Sequence, residues 1–152
     1  MDYNLLQSQL SGLAEADRWY VPLMANAAAL LYDAMEDVNW VGFYLLRGEK
    51  LVLGPFQGKM ACIHIPLGKG VCGTAAQRDE TQLVPDVHAF AGHIACDSAS
   101  KSEIVVPIHS GGGVVAVLDI DSPILNRFSE ADRMGLEGFV RVLEDKLDMR
   151  SN

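Results

Sequence analysis

Cys96 stands in a segment whose composition suits a reactive thiol better than a buried one. The stretch "GHIACDSASKSE", residues 92–103, is polar and rich in small residues, so it offers little apolar surface to cover a sulfur atom. An exposed cysteine is a liability in the cytosol and is more often kept for chemistry. Asp97 follows directly, and Glu103 lies seven residues further on. We therefore predict a thiol kept for chemistry, on an exposed, mobile loop with acidic side chains close by.

Three acidic residues are predicted to meet at one end of a hairpin. The segments "EIVVPIH" and "VVAVLDID" are joined by "SGGG", which is typical of two antiparallel strands and a turn. Asp119 and Asp121 are two residues apart, so both point to one face of their strand. With a turn at residues 110–112, Glu103 lies opposite Ile120 and diagonal to both aspartates. A one-residue shift or bulge would instead place Glu103 beside Asp119 on the same face, and the sequence leaves both registers open.

The clustering of these three carboxylates has two possible meanings. Like charges this close repel, so one of the groups tends to hold a proton at neutral pH unless a cation arrives. The acids are then either the solvated ends of two strands or the lining of a pocket. Such a pocket would bind an ammonium group and donate a proton.

The other two cysteines, taken alone, are each more typical of small core residues than of reagents. Cys62 opens a predicted strand, "ACIHIPL", and Cys72 follows the glycine-rich stretch "GKGV". Three cysteines leave one unpaired after any single bridge, and the chain shows no export signal, so a structural disulfide framework is not expected.

The same residues raise two other possible chemistries, a zinc site and a Cys-His hydrolase. His88, His93 and Cys96 are spaced H-x4-H-x2-C, but neither C-x-x-C nor H-E-x-x-H occurs, so the zinc signal is weak. His93 could act as the base of a Cys-His hydrolase, yet we find no oxyanion-hole signature. The glycines of "GKGVCG" lack the Lys-Ser/Thr ending of a phosphate loop. We predict no metal and no bound cofactor.

The predicted elements define an α+β domain. Apolar residues recur at helical spacing over residues 5–35, and Pro22 divides them into two helices joined near residues 17–22. "VNWVGFYLL" and "EKLVLGPF" form a hairpin, and "TQLVPDV" is a short edge strand. A last helix is capped by Ser129 with Asp132 at the third helical position. We predict a central antiparallel sheet flanked by N- and C-terminal helices, in one domain over residues 1–152.

The charge balance narrows the function classes. Twelve basic residues face twenty acidic ones, a net charge of −8, and the basic residues are scattered. Nucleic acids and anionic membranes are bound by clustered Lys and Arg, so neither is an expected partner. No apolar run is long enough to span a bilayer, and the N-terminus lacks the pattern of a signal peptide, so we expect a cytoplasmic protein.

Taken together, these segments resemble the free methionine-(R)-sulfoxide reductases, which are built on a GAF domain. The resemblance is carried by "NWVGFYLL", "LVLGPFQGKMACIHIPLGKGVCGTAA", "DVHAFAGHIACDSASKSEIVVPI" and "GVVAVLDIDSP". These cover nearly all of residues 39–123, with three cysteines, "GHIACD", "SEIVVPI" and "LDIDS" in the expected order. The resemblance implies a GAF-like fold and the reduction of free L-methionine-(R)-sulfoxide to L-methionine. The alternative is a non-catalytic GAF domain that senses a small ligand or redox state.

The resemblance also implies a role for each candidate residue. Cys96 would be the nucleophile that becomes a sulfenic acid, Cys62 the chief resolving cysteine, and Cys72 an auxiliary thiol. The substrate-binding residues implied are Trp40, Tyr44, Glu103, Asp119 and Asp121, with the two aromatic residues walling the methyl-sulfoxide end. The disulfide would be recycled by thioredoxin, and members of this kind are typically homodimers.

Overall fold

The computed structural model describes residues 1–92 and 99–151, which form four α-helices and six β-strands. The helices are α1 Tyr3–Ala16, α2 Tyr20–Ala34, α3 Gly70–Arg78 and α4 Glu130–Lys146. The strands are β1 Trp40–Arg47, β2 Lys50–Gly58, β3 His64–Pro66, β4 Gln82–Val84, β5 Ser102–Ser110 and β6 Gly113–Ser122. A 3-10 turn, Val87–Ala89, follows β4.

The strands form one antiparallel sheet in the order β3-β2-β1-β6-β5-β4. Helix α2 packs on β1 and β2, α4 packs on β5, and α1 packs on α4. Helix α3 packs against β5 and β6, among residues of the second core described below. The predicted α+β architecture, with a central antiparallel sheet flanked by N- and C-terminal helices, is confirmed, and β4 is the edge strand that the sequence indicated.

Strand alternation divides the buried residues into two cores. Toward α1, α2 and α4 the central strands place aliphatic and phenyl side chains: Val41, Phe43, Ile104, Val106, Leu118 and Ile120. The alternate residues form the second core with α3: Trp40, Tyr44, Val105, Val117, Cys72 and Ala75. The period of two along each strand sends neighbouring residues to opposite faces, so one sheet supports a structural core and a second face that can carry polar groups.

The terminal helices begin and end close to their predicted positions. Pro22 is the third residue of α2 rather than part of the linker, and a helix tolerates proline there because first-turn N–H groups lack intrahelical partners. Ser129 and Asp132 form the predicted capping box at the start of α4. The Tyr3 hydroxyl donates to Asp132 at 2.7 Å and so ties α1 to the start of α4. None of the helices in the described part of the chain is long and apolar enough to cross a membrane.

The third strand is shorter than predicted, and Cys62 lies outside it. β3 pairs with residues 50–52 of β2 only, followed by one further bond from the Leu53 N–H to the Ile63 carbonyl. The next N–H of β2 that would face β3 belongs to Pro55, which has none, so the ladder ends there. The prediction that Cys62 opens this strand is wrong, and the cysteine stands in the segment between β2 and β3.

His109, near the end of β5, joins three elements through its imidazole ring. Its Nδ1 lies 2.6 Å from Glu144 of α4, and its Nε2 contacts Asp79 at the end of α3. Burial opposes the charged ring, but the hydrogen bonds to both carboxylates outweigh it and raise the pKa of His109 above its ordinary value of 6.5. Only the protonated ring can donate to both acids at once.

We expect this contact to make stability depend on pH. Because the folded state holds the proton more tightly, the contribution is fully present below about pH 6.5 and is lost as the pH rises through the raised pKa. Since the ring is partly exposed, His109→Gln should lower Tm by about 1–3 °C at pH 5.5 and by less at pH 9. Thermal melts at several pH values measure this. The exposed His64→Gln is the control, and a His109 effect that grows with pH would contradict the assignment.

Candidate active site

A register shift in the β5–β6 hairpin decides where the acids meet. The turn is Gly111–Gly112, both with positive φ as a two-residue hairpin turn requires, and Ser110 pairs with Gly113. The pairing then shifts by one residue, and Glu103 lies opposite Asp121. The register that placed Glu103 opposite Ile120 is therefore wrong. The alternative with a one-residue shift or bulge is right in bringing Glu103 to the face of Asp119, but the residue directly opposite Glu103 is Asp121. All three carboxylates share one face of the sheet, which is the face toward α3.

The neighbouring strand brings an aromatic wall to the same place. Trp40 of β1 lies directly opposite Asp121, and Gly42 lies opposite Asp119. The cavity at this point has a volume of about 50 Å³. Its lining includes every predicted substrate-binding residue, namely Trp40, Tyr44, Glu103, Asp119 and Asp121, and also Cys72 and Lys69. The predicted substrate-binding residues, which lie on three different strands, thus meet in one cavity.

Burial raises the pKa of Glu103 and of Asp119. The two residues are only 8% and 5% exposed. For Glu103, burial first and the charge of Asp119 second raise the pKa well above the ordinary value. For Asp119, burial first and the charge of Asp121 second do the same. A carboxylic acid that stays protonated near neutral pH can donate a proton, which is what the sequence predicted of this cluster.

Asp119 also carries an unsatisfied oxygen. Its Oδ1 is buried and has no hydrogen-bond partner within residues 1–92 and 99–151. Leaving a buried acceptor unpaired costs about 1–3 kcal/mol. The cavity therefore presents a buried acceptor to whatever enters it, and a ligand with a cationic or neutral N–H donor would satisfy that acceptor.

Cys72 lies among the acids rather than on a loop. It is the third residue of α3, it is 4% exposed, and its Sγ is 4.0 Å from Glu103 Oε2. Burial first, then the charges of Asp119 and Glu103, raise the pKa of its thiol well above the ordinary value. Such a thiol forms little thiolate, so it is a poor nucleophile at neutral pH.

The same position makes Cys72 part of the one group of possible metal ligands found in the described residues. Its Sγ and carboxylate oxygens of Glu103 and Asp119 lie within 4.8 Å of one another. These are not the residues whose spacing suggested zinc, and His93 and Cys96 of that set lie outside the described residues. The absence of a metal stays a prediction.

The aromatic wall also holds the segment that contains Cys62. The Trp40 indole donates to the Lys59 carbonyl at 3.0 Å, and the Tyr44 hydroxyl donates to the Cys62 carbonyl at 3.1 Å. Burial and the nearby acids raise the pKa of Tyr44, so its hydroxyl remains a donor. Cys62 is disulfide-bonded, whereas Cys72 is a free thiol. Cys96, the predicted nucleophile, lies outside the described residues.

Sequence reasoning missed two residues that shape this wall. Trp40 stacks on Tyr44 with ring centroids 5.8 Å apart, and on Phe56 of β2 at 5.2 Å. A Cβ on Gly42 would lie 2.3 Å from the Phe56 Cβ and 2.6 Å from the Trp40 ring, so only glycine admits this stack. A glycine inside an apolar strand signals a close approach of other groups, but the sequence does not say which groups approach.

Comparison with known proteins shows which proteins this chain resembles in sequence and in fold. The sequence model of the GAF domain family matches residues 6–145. The free methionine-R-sulfoxide reductase of Escherichia coli (strain K12) is 49% identical over 145 residues, which are 95% of this chain and 88% of that protein. The fRMsr of Staphylococcus aureus in its reduced form has a TM-score of 0.93 and 52% identity, covering 97% of this chain and 96% of that one.

A further solved structure contains a bound substrate. The free methionine-R-sulfoxide reductase from Neisseria meningitidis, in complex with its substrate, has a TM-score of 0.91 and 43% identity, covering 95% of this chain and 87% of that one. The fold and the matched family model therefore define a GAF domain. Within that class, the chain belongs to the family of the free methionine-R-sulfoxide reductases. The resemblance read from the motifs is confirmed.

The buried acids should cost stability at neutral pH. A carboxyl with a raised folded pKa stabilises fully below its unfolded pKa of about 4, and that stability is lost as the pH rises through the folded value. Asp119→Asn removes the titration with little change of shape. We expect its Tm relative to wild type to rise between pH 5 and pH 8 by about 2–4 °C. Thermal melts across that range measure it, with the exposed Asp33→Asn as control. A difference that stays constant or shrinks would contradict the raised pKa.

Proposed function

We propose that the protein is an enzyme that reduces free L-methionine-(R)-sulfoxide to L-methionine by thiol chemistry. The observation that carries this proposal is the set of buried carboxyl groups facing Trp40 across one small cavity, in a chain of this family. We infer the preference for the R epimer from the relatives, which are free methionine-R-sulfoxide reductases. Reduction by thioredoxin, a homodimeric state and a cytoplasmic location stay predictions.

In the proposed reaction, a protonated acid first activates the sulfoxide. A sulfoxide oxygen is a poor leaving group, and a proton from the Glu103–Asp119 pair makes the sulfur open to attack. The Cys96 thiolate attacks that sulfur, an S–S bond forms between Cys96 and the substrate, and the protonated oxygen leaves as water. A water molecule then attacks the Cys96 sulfur and gives up a proton, the S–S bond breaks, methionine leaves, and Cys96 becomes a sulfenic acid. The raised pKa values support this role because a carboxyl with a raised pKa keeps its proton to a higher pH than an exposed carboxyl does.

Cys62 then resolves the sulfenic acid. Its thiol displaces hydroxide from Cys96, a disulfide forms, and water is released. The disulfide-bonded state of Cys62 and its tether to Tyr44 at the cavity wall support this assignment. Cys72 keeps a free, buried thiol of raised pKa, which fits an auxiliary role better than that of chief resolving cysteine. An external dithiol such as thioredoxin restores both thiols by exchange.

The acids also explain why a free amino acid would be preferred. Asp119 and Asp121 lie two residues apart on one face, and burial together with the charge of Asp121 raises the pKa of Asp119. An α-ammonium group would pair with this charge, and it would also ease formation of the Cys96 thiolate. A peptide nitrogen carries no charge and would leave the buried acceptors unpaired, which can cost several orders of magnitude in kcat/KM.

The cysteine assignments can be tested one at a time. Incubated with methionine-(R)-sulfoxide and thioredoxin, Cys96→Ser should make no detectable methionine. Cys62→Ser should make about one methionine per chain and then stop, because its sulfenic acid is not resolved. Cys72→Ser should turn over repeatedly. Methionine is quantified by chromatography, and mass spectrometry after turnover should find a peptide linking Cys62 to Cys96.

Each outcome separates the enzyme from the alternative GAF sensor. Wild type that makes no methionine would support the non-catalytic sensor. Cys96→Ser with wild-type activity would show that the nucleophile is misassigned. Multiple turnovers by Cys62→Ser would show that Cys72 can resolve in its place.

Substrate charge provides a separate test of the acidic cavity. N-acetylmethionine-(R)-sulfoxide keeps the reacting group but lacks the ammonium, so wild type should reduce it at least about 100-fold less efficiently in kcat/KM. Asp121→Asn should reduce this ratio of kcat/KM values, because it should lower kcat/KM for the free amino acid more than for the acetylated one. Dithiothreitol-coupled assays measure both substrates. Equal kcat/KM for the two in wild type would rule out ammonium recognition by these acids.

A further inference from the structure

The stretch of chain around Cys62 differs in charge from the rest of the protein. Residues 50–78 contain four basic residues and no acidic one, although the chain has twenty acidic residues and a net charge of −8. Of these basic residues, Lys59 lies three positions before Cys62 in the same segment and Lys69 lines the cavity, and both are exposed. Exposed lysines therefore lie in the cavity lining and close to Cys62 on a protein that is acidic as a whole.

The same region exposes large apolar side chains. Met60 is 90% exposed and Ile63 is 63% exposed, the first two residues before Cys62 and the second directly after it. Met60 also lines the cavity. Folding leaves these side chains in water, while Cys62 between them is half-buried and disulfide-bonded. Exposed apolar groups with charged neighbours are typical of protein contact sites.

We propose that Lys59, Met60 and Ile63 form a docking surface for a protein dithiol reductant, which attacks the disulfide at Cys62. The disulfide at Cys62 indicates which kind of protein binds here. A dithiol reductant bound to this surface would be within reach of the disulfide that it must cleave. Its complementary surface would be apolar around its reactive cysteine and acidic at the rim. The positive segment would orient such a partner, since the rest of the chain repels it. This inference rests on the proposed function.

The exchange is balanced in electrons and protons. A thiolate of the reductant attacks Cys62 Sγ, the existing disulfide breaks, and the other protein cysteine leaves as a thiolate that takes up a proton. The second thiol of the reductant then attacks the mixed disulfide and releases Cys62 as a thiol. Two electrons pass to the enzyme, and the reductant leaves as its own disulfide. A small dithiol can perform the same exchange without touching the side chains on either side.

The test compares a protein reductant with a small one. Ile63→Ser should raise the KM for thioredoxin, recycled by its reductase and NADPH, about fivefold or more, and should leave turnover with dithiothreitol within twofold of wild type. Met134→Ser is the control, because Met134 is 70% exposed on α4, which packs on the opposite face of the sheet. Lys59→Glu should raise the KM about threefold at low salt, with the difference lost at high salt.

Each possible result bears on one claim. A KM for thioredoxin within twofold of wild type in both variants overturns the docking surface. An equal loss with dithiothreitol in both variants also overturns it, because the defect would then not concern docking. Wild type that makes no methionine with dithiothreitol would overturn the proposed function itself. Salt that weakens wild-type use of thioredoxin but not of dithiothreitol supports the inference.

Discussion

The central constraint in this molecule is the placement of three carboxyl groups, with Glu103 and Asp119 buried and Asp121 partly exposed, at neighbouring positions of two strands. Water would stabilise them as anions, whereas burial in the cavity raises the pKa of Glu103 and of Asp119 and so favours their protonated forms. Such a cluster cannot hold itself together, because its members repel once ionised. It persists because the backbone hydrogen bonds of β5 and β6 fix the strands, whatever the charge of their side chains. The site is therefore a product of sheet register.

The two faces of the sheet divide the work between stability and chemistry. Toward α1, α2 and α4 the strands bury mainly apolar side chains, and this core offsets the cost of the acidic face. A cavity with an unpaired acceptor is unfavourable until a ligand fills it, so the stability gained elsewhere permits the site. The capping box at Ser129 and the hydrogen bond from Tyr3 to Asp132 stabilise the helices that pack on the apolar face of the sheet.

Local rules predicted those parts of the site that depend on local geometry. The period of a strand is enough to place Asp119 and Asp121 on one face, and the cap of α4 is written in two residues three apart. The position of Glu103 depends on a register shift between Ile108 and His109, which no local pattern shows. The predicted start of β3 is wrong for a similar reason, because a proline on the partner strand limits the length of β3.

The link between the cavity and Cys62 was beyond sequence reasoning because it is made by backbone carbonyls. Trp40 and Tyr44 each present a ring to the cavity and a hydrogen-bond donor to the segment before β3. A ligand that displaced these rings would therefore change their hydrogen bonds to the carbonyls of Lys59 and Cys62. Since Cys62 lies outside the strand ladder, few backbone bonds oppose a small shift of its segment. The proposed resolving role of Cys62 needs this combination, because a resolving cysteine must be close to the reaction and able to change its sulfur partner.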